Sequence, residues 1–158
     1  MENKIHSGQK ITPFLWFDGR VEEAVNFYTG IFKNSKITGL HRFGNQDKIM
    51  SATFELEGQQ FMALDGGPMY QFTPAISFFV NCTSQQEVDE LWDKLSAEGE
   101  IQQCGWLKDK FGVSWQIIPT TLGQLMGDPD LAKAQRVIQA MLKMKKIEID
   151  QLMEAYHG

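Results

Sequence analysis

The sequence predicts an α+β fold in which two modules of strand, helix and further strands form curved mixed sheets around a central cavity, followed by C-terminal helices. Two segments separated by 64 residues share one pattern, since Phe14–Phe17 aligns with Phe78–Asn81 and an amphipathic helix follows each. Beyond Pro119 the pattern changes to helical periodicity alone. Unrelated strand–helix units can also match over such short stretches, which leaves the repeat open as an interpretation.

The first module begins with the strand at Phe14–Phe17. The Asp18-Gly19 turn predicts the start of an amphipathic helix at about residues 20–32. Gly44-Asn45 and Glu57-Gly58 are turn signals between runs of alternating polarity. These runs predict three strands, at about residues 36–43, 49–56 and 60–65.

The second module repeats the order of strand and helix. Thr83-Ser84 is typical of a helix N-terminus, and the helix is expected to end near Gly99. Strands follow at about residues 101–106 and 113–118. The charged turn Lys108–Gly112 between them predicts a hairpin with Trp106 and Phe111 near its tip.

The C-terminal part predicts two helices. Asp128-Pro129 supplies a cap and a proline for a helix at about residues 129–145, and Asp150 is a possible cap for a shorter helix at about 147–156. The lysine-rich run 143–146 suits a phosphate or membrane patch, but a solvated helix end explains it more simply.

Composition excludes several classes of protein. A chain of 158 residues with 42% hydrophobic residues can bury a sizeable core in one domain. A formal net charge of −5 argues against a nucleic-acid partner. Two cysteines on unrelated segments do not suggest a disulfide framework, and no apolar stretch reaches the length of a membrane span. We therefore expect a cytoplasmic protein that does not bind membranes, with a flexible lead at residues 1–9.

Three segments together resemble a known family. ITPFLWFDGRVEEAVNFYTGIF, FGVSWQIIP and DPDLAKAQRVIQAMLKMKKIEIDQL are similar to the PhnB-like branch of the vicinal oxygen chelate superfamily, which includes glyoxalases, bleomycin-resistance proteins and dioxygenases. The resemblance extends over about residues 10–156. It implies paired βαβββ modules at about 10–66 and 74–120, within a domain at 10–120, with residues 121–158 as a helical extension. It also implies a homodimer.

The resemblance carries an expectation about metal binding. Members of the superfamily commonly hold a divalent metal with His or Glu side chains from four strands. The matching positions in this chain are Pro13, Ala63, Ser77 and Gln116. None is a histidine or a carboxylate, which disfavours a metal site of the usual kind. The histidines at 6, 41 and 157 do not replace the missing ligands, so no cofactor is predicted and a divalent metal is the alternative.

The branch often bears the label 3-demethylubiquinone-9 3-methyltransferase. A methyl donor such as S-adenosylmethionine is generally held by a glycine-rich loop between a strand and a helix. The only glycine pair, Gly66-Gly67, follows a strand but leads toward another strand. The chain's own residues therefore do not support methyl transfer.

Strand alternation predicts which side chains line a pocket. The predicted ligand-binding residues are Leu15, Phe17, Ser51, Asp65, Ser77, Phe79, Asn81, Trp106, Phe111 and Gln116. The residues of the opposite side should pack beneath the helices. They are Phe14, Trp16, Met62, Leu64, Ile76, Phe78, Trp115 and Ile117. The mixture of aromatic and polar groups is typical of a small-molecule pocket.

Two functions fit this pocket. The first is a metal-free, dimeric binding protein for a small aromatic or amphipathic ligand, similar to bleomycin-resistance proteins. The second is a lyase, isomerase or dioxygenase with an unconventional metal site, or with Asp65 as a general base whose pKa is raised by burial. A purely structural dimer module is a third interpretation.

Overall fold

The computed structural model describes residues 9–158, which form two compact units, one up to Gln71 and one from Phe72. The predicted flexible lead at residues 1–9, with His6, therefore lies outside the described residues except for its last position. No described helix is long and apolar enough to cross a membrane.

The first unit has one helix and a four-stranded sheet, as predicted. The sheet order is β1-β4-β3-β2, with β1 parallel to β4 and the other neighbours antiparallel. Its elements are β1 (Phe14–Phe17), α1 (Val21–Ile31), β2 (Lys36–Arg42), β3 (Ile49–Leu56) and β4 (Gln59–Asp65).

The buried side of the first sheet packs against α1. Phe17 is only 3% exposed, and its ring lies 6.4 Å from that of Tyr28 on α1. Leu15 points to the same side by alternation and is also buried, whereas Phe14 on the other side is 50% exposed. The predicted side for Leu15 and Phe17 is therefore wrong, because these residues form the helix-facing core rather than the side away from the helix.

The second unit repeats the sheet and adds three helices. The sheet order is β5-β8-β7-β6, with β5 parallel to β8. Its elements are β5 (Ser77–Cys82), α2 (Gln85–Ser96), β6 (Glu100–Ile101), β7 (Trp106–Lys108), β8 (Ser114–Pro119), α3 (Thr120–Met126), α4 (Leu131–Met141) and α5 (Ile149–His157).

The single strand predicted at 101–106 is two short strands separated by a turn. Cys104 and Gly105 have positive φ angles of 58° and 82°, which break the extended backbone. Their N–H groups donate to the carbonyl oxygens of Met144 and Lys145 instead of a strand. A Cβ on Gly105 would overlap Ile118, so close packing also requires glycine there.

The C-terminal helices are shorter than predicted, and α3 was not predicted. Asp130, rather than Asp128, caps α4 by accepting from the N–H groups of Ala132 and Lys133. Asp128 instead accepts from the Tyr156 hydroxyl at 2.8 Å. The predicted cap of α5, Asp150, lies inside that helix, whose N-cap position is Glu148.

A separate apolar cluster attaches these helices to β8. Ile118 at the end of β8 packs in this cluster. The Gln85 side chain, at the start of α2, adds two polar contacts by donating to the Ile147 carbonyl at 3.0 Å and accepting from the Ile149 N–H at 2.7 Å. The other buried members of the cluster are Leu122, Val137, Met144, Ile147 and Leu152.

The repeat is present, but its strands align with a spacing of 65 rather than 64 residues. At this spacing Phe17 matches Cys82, since both are buried and end their strands. Phe14 then matches Phe79, and both are about half exposed. Because a shift of one residue reverses the side on which every residue of a strand lies, a spacing of 64 would instead match the buried Phe17 with the exposed Asn81.

Candidate functional site

The candidate site is one side of the second sheet. Pairing of β5, β7 and β8 places one set of side chains on the side opposite to the buried apolar residues Leu107, Trp115 and Ile117. We call this side the site face. It comprises Ser77, Phe79, Asn81, Trp106, Ser114 and Gln116, with Glu100, Lys108 and Ile118 at its borders.

A neutral hydrogen bond lies at the centre of the site face. Gln116 Nε2 donates to Ser77 Oγ over 2.9 Å. Phe79 on β5 and Trp106 on β7 are the two cross-strand neighbours of Gln116 on β8. Phe79 is 54% exposed. The face therefore presents an amide and a hydroxyl between two aromatic side chains.

Asp109 holds the hairpin that carries β8. Its Oδ1 accepts from the N–H groups of Phe111 and Val113 at 2.9 and 3.0 Å, and its Oδ2 accepts from Trp115 Nε1 at 2.9 Å. Gly112, with φ of 91°, lets the loop close as predicted. These bonds fix the strand on which Ser114 and Gln116 stand.

The structure brings together five of the ten predicted pocket residues on the site face, which are Ser77, Phe79, Asn81, Trp106 and Gln116. Phe111 lies in the hairpin loop, with the Lys110 ammonium 5.5 Å from its ring centre. In the first unit, Leu15, Phe17 and Asp65 share the helix-facing side of the sheet, whereas Ser51 lies on the other side. The ligand-binding role of these residues stays a prediction.

Asp65 makes an ion pair and a hydrogen bond within the first unit. Lys48 Nζ lies 2.6 Å from Asp65 Oδ2, and the Gly19 N–H donates to Asp65 Oδ1 at 2.7 Å. The hydrogen bond with Lys48 lowers the pKa of Asp65, and the Gly19 N–H adds to this against the opposing effect of burial. The expectation that the pKa of Asp65 is raised is therefore wrong. Asp65 is ionised and is paired with Lys48 and with the Gly19 N–H near the start of α1.

The donor set of the site face does not fit a divalent metal. Ser77 and Gln116, two of the four positions matched to the superfamily's metal ligands, are hydrogen-bonded to each other. A neutral amide and a hydroxyl are weak ligands for Zn²⁺ or Ni²⁺. Ala63, a third such position, lies on the helix-facing side of its own sheet. Residues 9–158 contain no group of three or more His, Cys, Asp or Glu side chains placed to hold a metal ion.

The glycine pair does not fit a methyl donor either. Trp16 Nε1 donates to the Gly67 carbonyl at 2.8 Å, and a Cβ on Gly66 would overlap the Trp16 ring. The two glycines therefore pack against the indole ring of Trp16. The next element is β5 rather than a helix, so no helix N-terminus is available to hold a donor there.

Comparison with known proteins identifies the family. The family described as 3-demethylubiquinone-9 3-methyltransferase matches residues 9–118. The chain belongs to this family. It is the PhnB-like family that the sequence motifs indicated. A search of curated proteins found no match.

Solved structures support the same fold. A PhnB protein from Bacillus cereus is 41% identical, with a TM-score of 0.65, over 70% of this chain and 99% of that one. Protein PA1353 from Pseudomonas aeruginosa is 24% identical, with a TM-score of 0.62, over 70% and 97%. The fosfomycin resistance protein FosX from Listeria monocytogenes, in a complex with Mn(II), is 14% identical, with a TM-score of 0.50, over 66% and 87%, which shows a common fold alone.

The family match is shorter than the expected resemblance. It ends at residue 118, whereas the motifs had suggested a resemblance up to residue 156. Nearly all of the B. cereus protein is covered by 70% of this PhnB-like chain. The segment with α3, α4 and α5 lies beyond the residues that the family matches.

Two important residues were missed by the sequence prediction. Asp109 was seen only as part of a charged turn, although an aspartate three residues before a glycine in a tight turn often accepts from backbone N–H groups. Ser114 lies two residues before Gln116 on β8 and shares its side of the sheet, but it was not among the predicted pocket residues. Its alternation with Gln116 could have included it.

Proposed function

We propose that this PhnB-like protein is a metal-free binding protein for a small aromatic or amphipathic molecule, and that it acts as a cytoplasmic homodimer. The observation that carries the proposal is the hydrogen-bonded pair of Gln116 and Ser77 beside the half-exposed ring of Phe79. The pair occupies positions where the superfamily commonly has metal ligands, and it offers hydrogen bonds instead of charge.

The chemistry of the site face suits such a ligand. Covering an exposed phenyl ring removes apolar surface from water, which stabilises a complex by about 25 cal/mol per Å² before the costs of association. Phe79 and Trp106 supply this surface from two different strands. Gln116 and Ser77 supply a few polar groups that can orient the ligand, which is the usual composition of a small-molecule site.

The binding proposal can be tested with a defined set of probes. Phenol, indole, acetophenone and benzamide would be titrated into ¹⁵N-labelled protein, and saturable shifts of the Gln116 side-chain amide are expected. A probe at 100 times its dissociation constant should also stabilise the fold by about 2.7 kcal/mol. Phe79→Ala should weaken binding, whereas Ile101→Ala is the matched control, because Ile101 is also half exposed but pairs with Leu107 on the opposite side of the sheet.

Two results would contradict the binding proposal. One is the absence of a saturable response to all four probes. The other is equal affinity of Phe79→Ala and Ile101→Ala, because a ligand held on the site face must lose contact area only in the first variant.

The metal-free part requires a separate measurement. Elemental analysis of protein purified without a histidine tag should find no stoichiometric Zn, Ni, Mn or Fe, and finding one of them would reject this part. Gln116→Glu replaces the amide with a carboxylate beside Ser77. If this variant gains divalent-metal affinity, the position faces a space where ligands can enter; if it only loses stability, Gln116 serves the packing of the sheet.

The homodimer rests on the resemblance and on an exposed apolar side chain. Ile76, immediately before β5, is 75% exposed. Light scattering coupled to size-exclusion chromatography should give about twice the 18.0 kDa mass of the chain. A monomer at micromolar concentration would contradict this part and leave the binding proposal intact.

A further inference from the structure

A cleft lies beside the C-terminal helices, between the end of α4, one side of α5 and the loop that joins them. Its volume is about 690 Å³, which is within the range of small-molecule sites. The cleft belongs wholly to the second unit, shares no residue with the site face and lies beyond the residues that the family matches.

The cleft is present because α5 folds back along α4. Arg136, near the middle of α4, donates from Nε and Nη2 to the carbonyl oxygens of Ala155 and Tyr156, both at 2.9 Å. Ala140 on α4 and Ala155 on α5 line the cleft, and their small side chains leave room between the helices. Met144 from the loop adds to this apolar part of the lining.

The loop at one end of the cleft is held in place from several directions. The carbonyl oxygens of Met144 and Lys145 accept from the turn at Cys104-Gly105 at 2.8 and 2.7 Å. Met144 is only 7% exposed, and Lys146 Nζ lies 2.8 Å from Asp89 Oδ1 on α2. A loop fixed in this way has little conformational freedom to lose when a ligand binds.

The free charges of the cleft have both signs. Lys146 also lies 3.4 Å from Glu148, so these two lining residues are paired with each other. Lys143 and Lys145 are exposed and make no ion pair with any other residue of 9–158. Glu154 on α5 is exposed and, within the same residues, is also without an ion pair. Two free cations and one free anion therefore line the same cleft.

The free cations and the free anion come from different ends of the cleft. Lys143 and Lys145 precede α5, whereas Glu154 lies six residues after its N-cap position Glu148, which is about 9 Å along the helix. A ligand with negative charge alone would leave Glu154 without a partner, and a ligand with positive charge alone would face two ammonium groups. A molecule with opposite charges at its two ends matches both.

We propose that the cleft binds an elongated zwitterion, with its carboxylate near Lys143 and Lys145 and its ammonium group near Glu154, as in an ω-amino acid or a short peptide. The apolar part of the ligand lies against Met144 and Ala155. This binding site is additional to the site face and does not depend on the proposed function.

The test uses three probes of similar length and different charge. 6-Aminohexanoate is a zwitterion, hexanoate is an anion and hexylamine is a cation, and each is titrated into the ¹⁵N-labelled 158-residue chain. Saturable shifts of the backbone amides of Lys145 and Gln151, which line the cleft, are expected. 6-Aminohexanoate should bind at least about 3-fold more tightly than either of the other two, the range expected for partly exposed ion pairs.

Two variants test the two ends of the cleft separately. Glu154→Gln should abolish the preference for 6-aminohexanoate over hexanoate, because the ammonium group loses its partner. Lys143→Gln combined with Lys145→Gln should weaken the binding of 6-aminohexanoate about 3- to 10-fold and should not weaken the binding of hexylamine. All three side chains are exposed, so the melting temperatures should stay close to that of the wild type.

Matched controls change the same charges elsewhere. Glu90→Gln is the control for Glu154→Gln, and Lys33→Gln combined with Lys94→Gln is the control for the double lysine variant. These three residues are exposed and do not line the cleft, so the affinities of all probes should stay unchanged.

Three results would overturn the inference. The first is that 6-aminohexanoate gives no saturable shift or binds no more tightly than hexanoate or hexylamine. The second is an equal loss of affinity in the cleft variants and their controls, because net charge rather than position would then determine binding. The third is a saturable shift confined to Gln116 and its neighbours, which would place the probe on the site face instead of in the cleft.

Discussion

Replacing the matched pair Phe14 and Phe17 by alanine tests which side of the first sheet forms the core. Phe17 is 3% exposed and contacts Tyr28, whereas Phe14 is 50% exposed. Phe17→Ala should reduce the free energy of unfolding by about 3–5 kcal/mol, because burial is lost and a cavity remains. For a chain of this size that corresponds to a fall of about 6–20 °C in melting temperature. Phe14→Ala should cost less than half as much, since half of its ring is already in water.

Thermal and urea unfolding followed by circular dichroism would measure both variants beside the wild type. Far-UV spectra must first show that each variant is folded at low temperature. The second unit offers the same comparison, because Phe79 is 54% exposed and should tolerate alanine as well as Phe14 does. If Phe14→Ala proves more destabilising than Phe17→Ala, the assignment of the core side, and the 65-residue spacing built on it, is refuted.

Three other predictions concern ionisation and the C-terminal helices. Because the pKa of Asp65 is lowered in the folded state, its pairing with Lys48 stabilises the fold above the ordinary aspartate pKa, and this contribution is lost as pH falls through the lowered value. Asp65→Asn should therefore flatten the acid side of a plot of stability against pH. An unchanged slope would contradict this prediction. Gln85→Ala should reduce the free energy of unfolding by about 1–3 kcal/mol, because two hydrogen bonds at the start of α5 are lost. A change below about 0.5 kcal/mol would count against a structural role of Gln85. Burial, reinforced by the nearby Glu87, raises the pKa of the Cys82 thiol to about 12. A thiol reagent at pH 8 should therefore label Cys104 before the buried Cys82. Equal labelling of the two cysteines in the folded protein would contradict the buried position of Cys82.

Local patterns were sufficient to predict most elements of the fold. Ile49–Leu56 was predicted with both boundaries correct, because alternating side-chain polarity and flanking turns determine a strand locally. The hairpin before Ser114 was also predicted from its charged, glycine-closed turn. The break at Cys104 was missed, since its cause is a contact with Met144, some 40 residues later in the chain.

The candidate site was predicted less completely than the fold. Gln116, Ser77 and Phe79 were placed together because β5 and β8 alternate regularly. Leu15 and Phe17 were put on the wrong side because their side was inferred from Pro13, a position matched through the family resemblance. A pattern of alternation has no information on which side faces the helix when both sides are apolar. The cleft beside α5 is a three-dimensional property that no local pattern indicates.

The boundary of the family match has a practical consequence for protein engineering. The family match ends at residue 118, but Ile118 is itself a member of the apolar cluster formed with the C-terminal helices. A fragment cut at this boundary would leave Ile118 and its neighbour Gly105 facing solvent at the border of the site face. In this chain the segment that the family match covers is therefore smaller than the segment that packs together, and ligand screens should use the longer one.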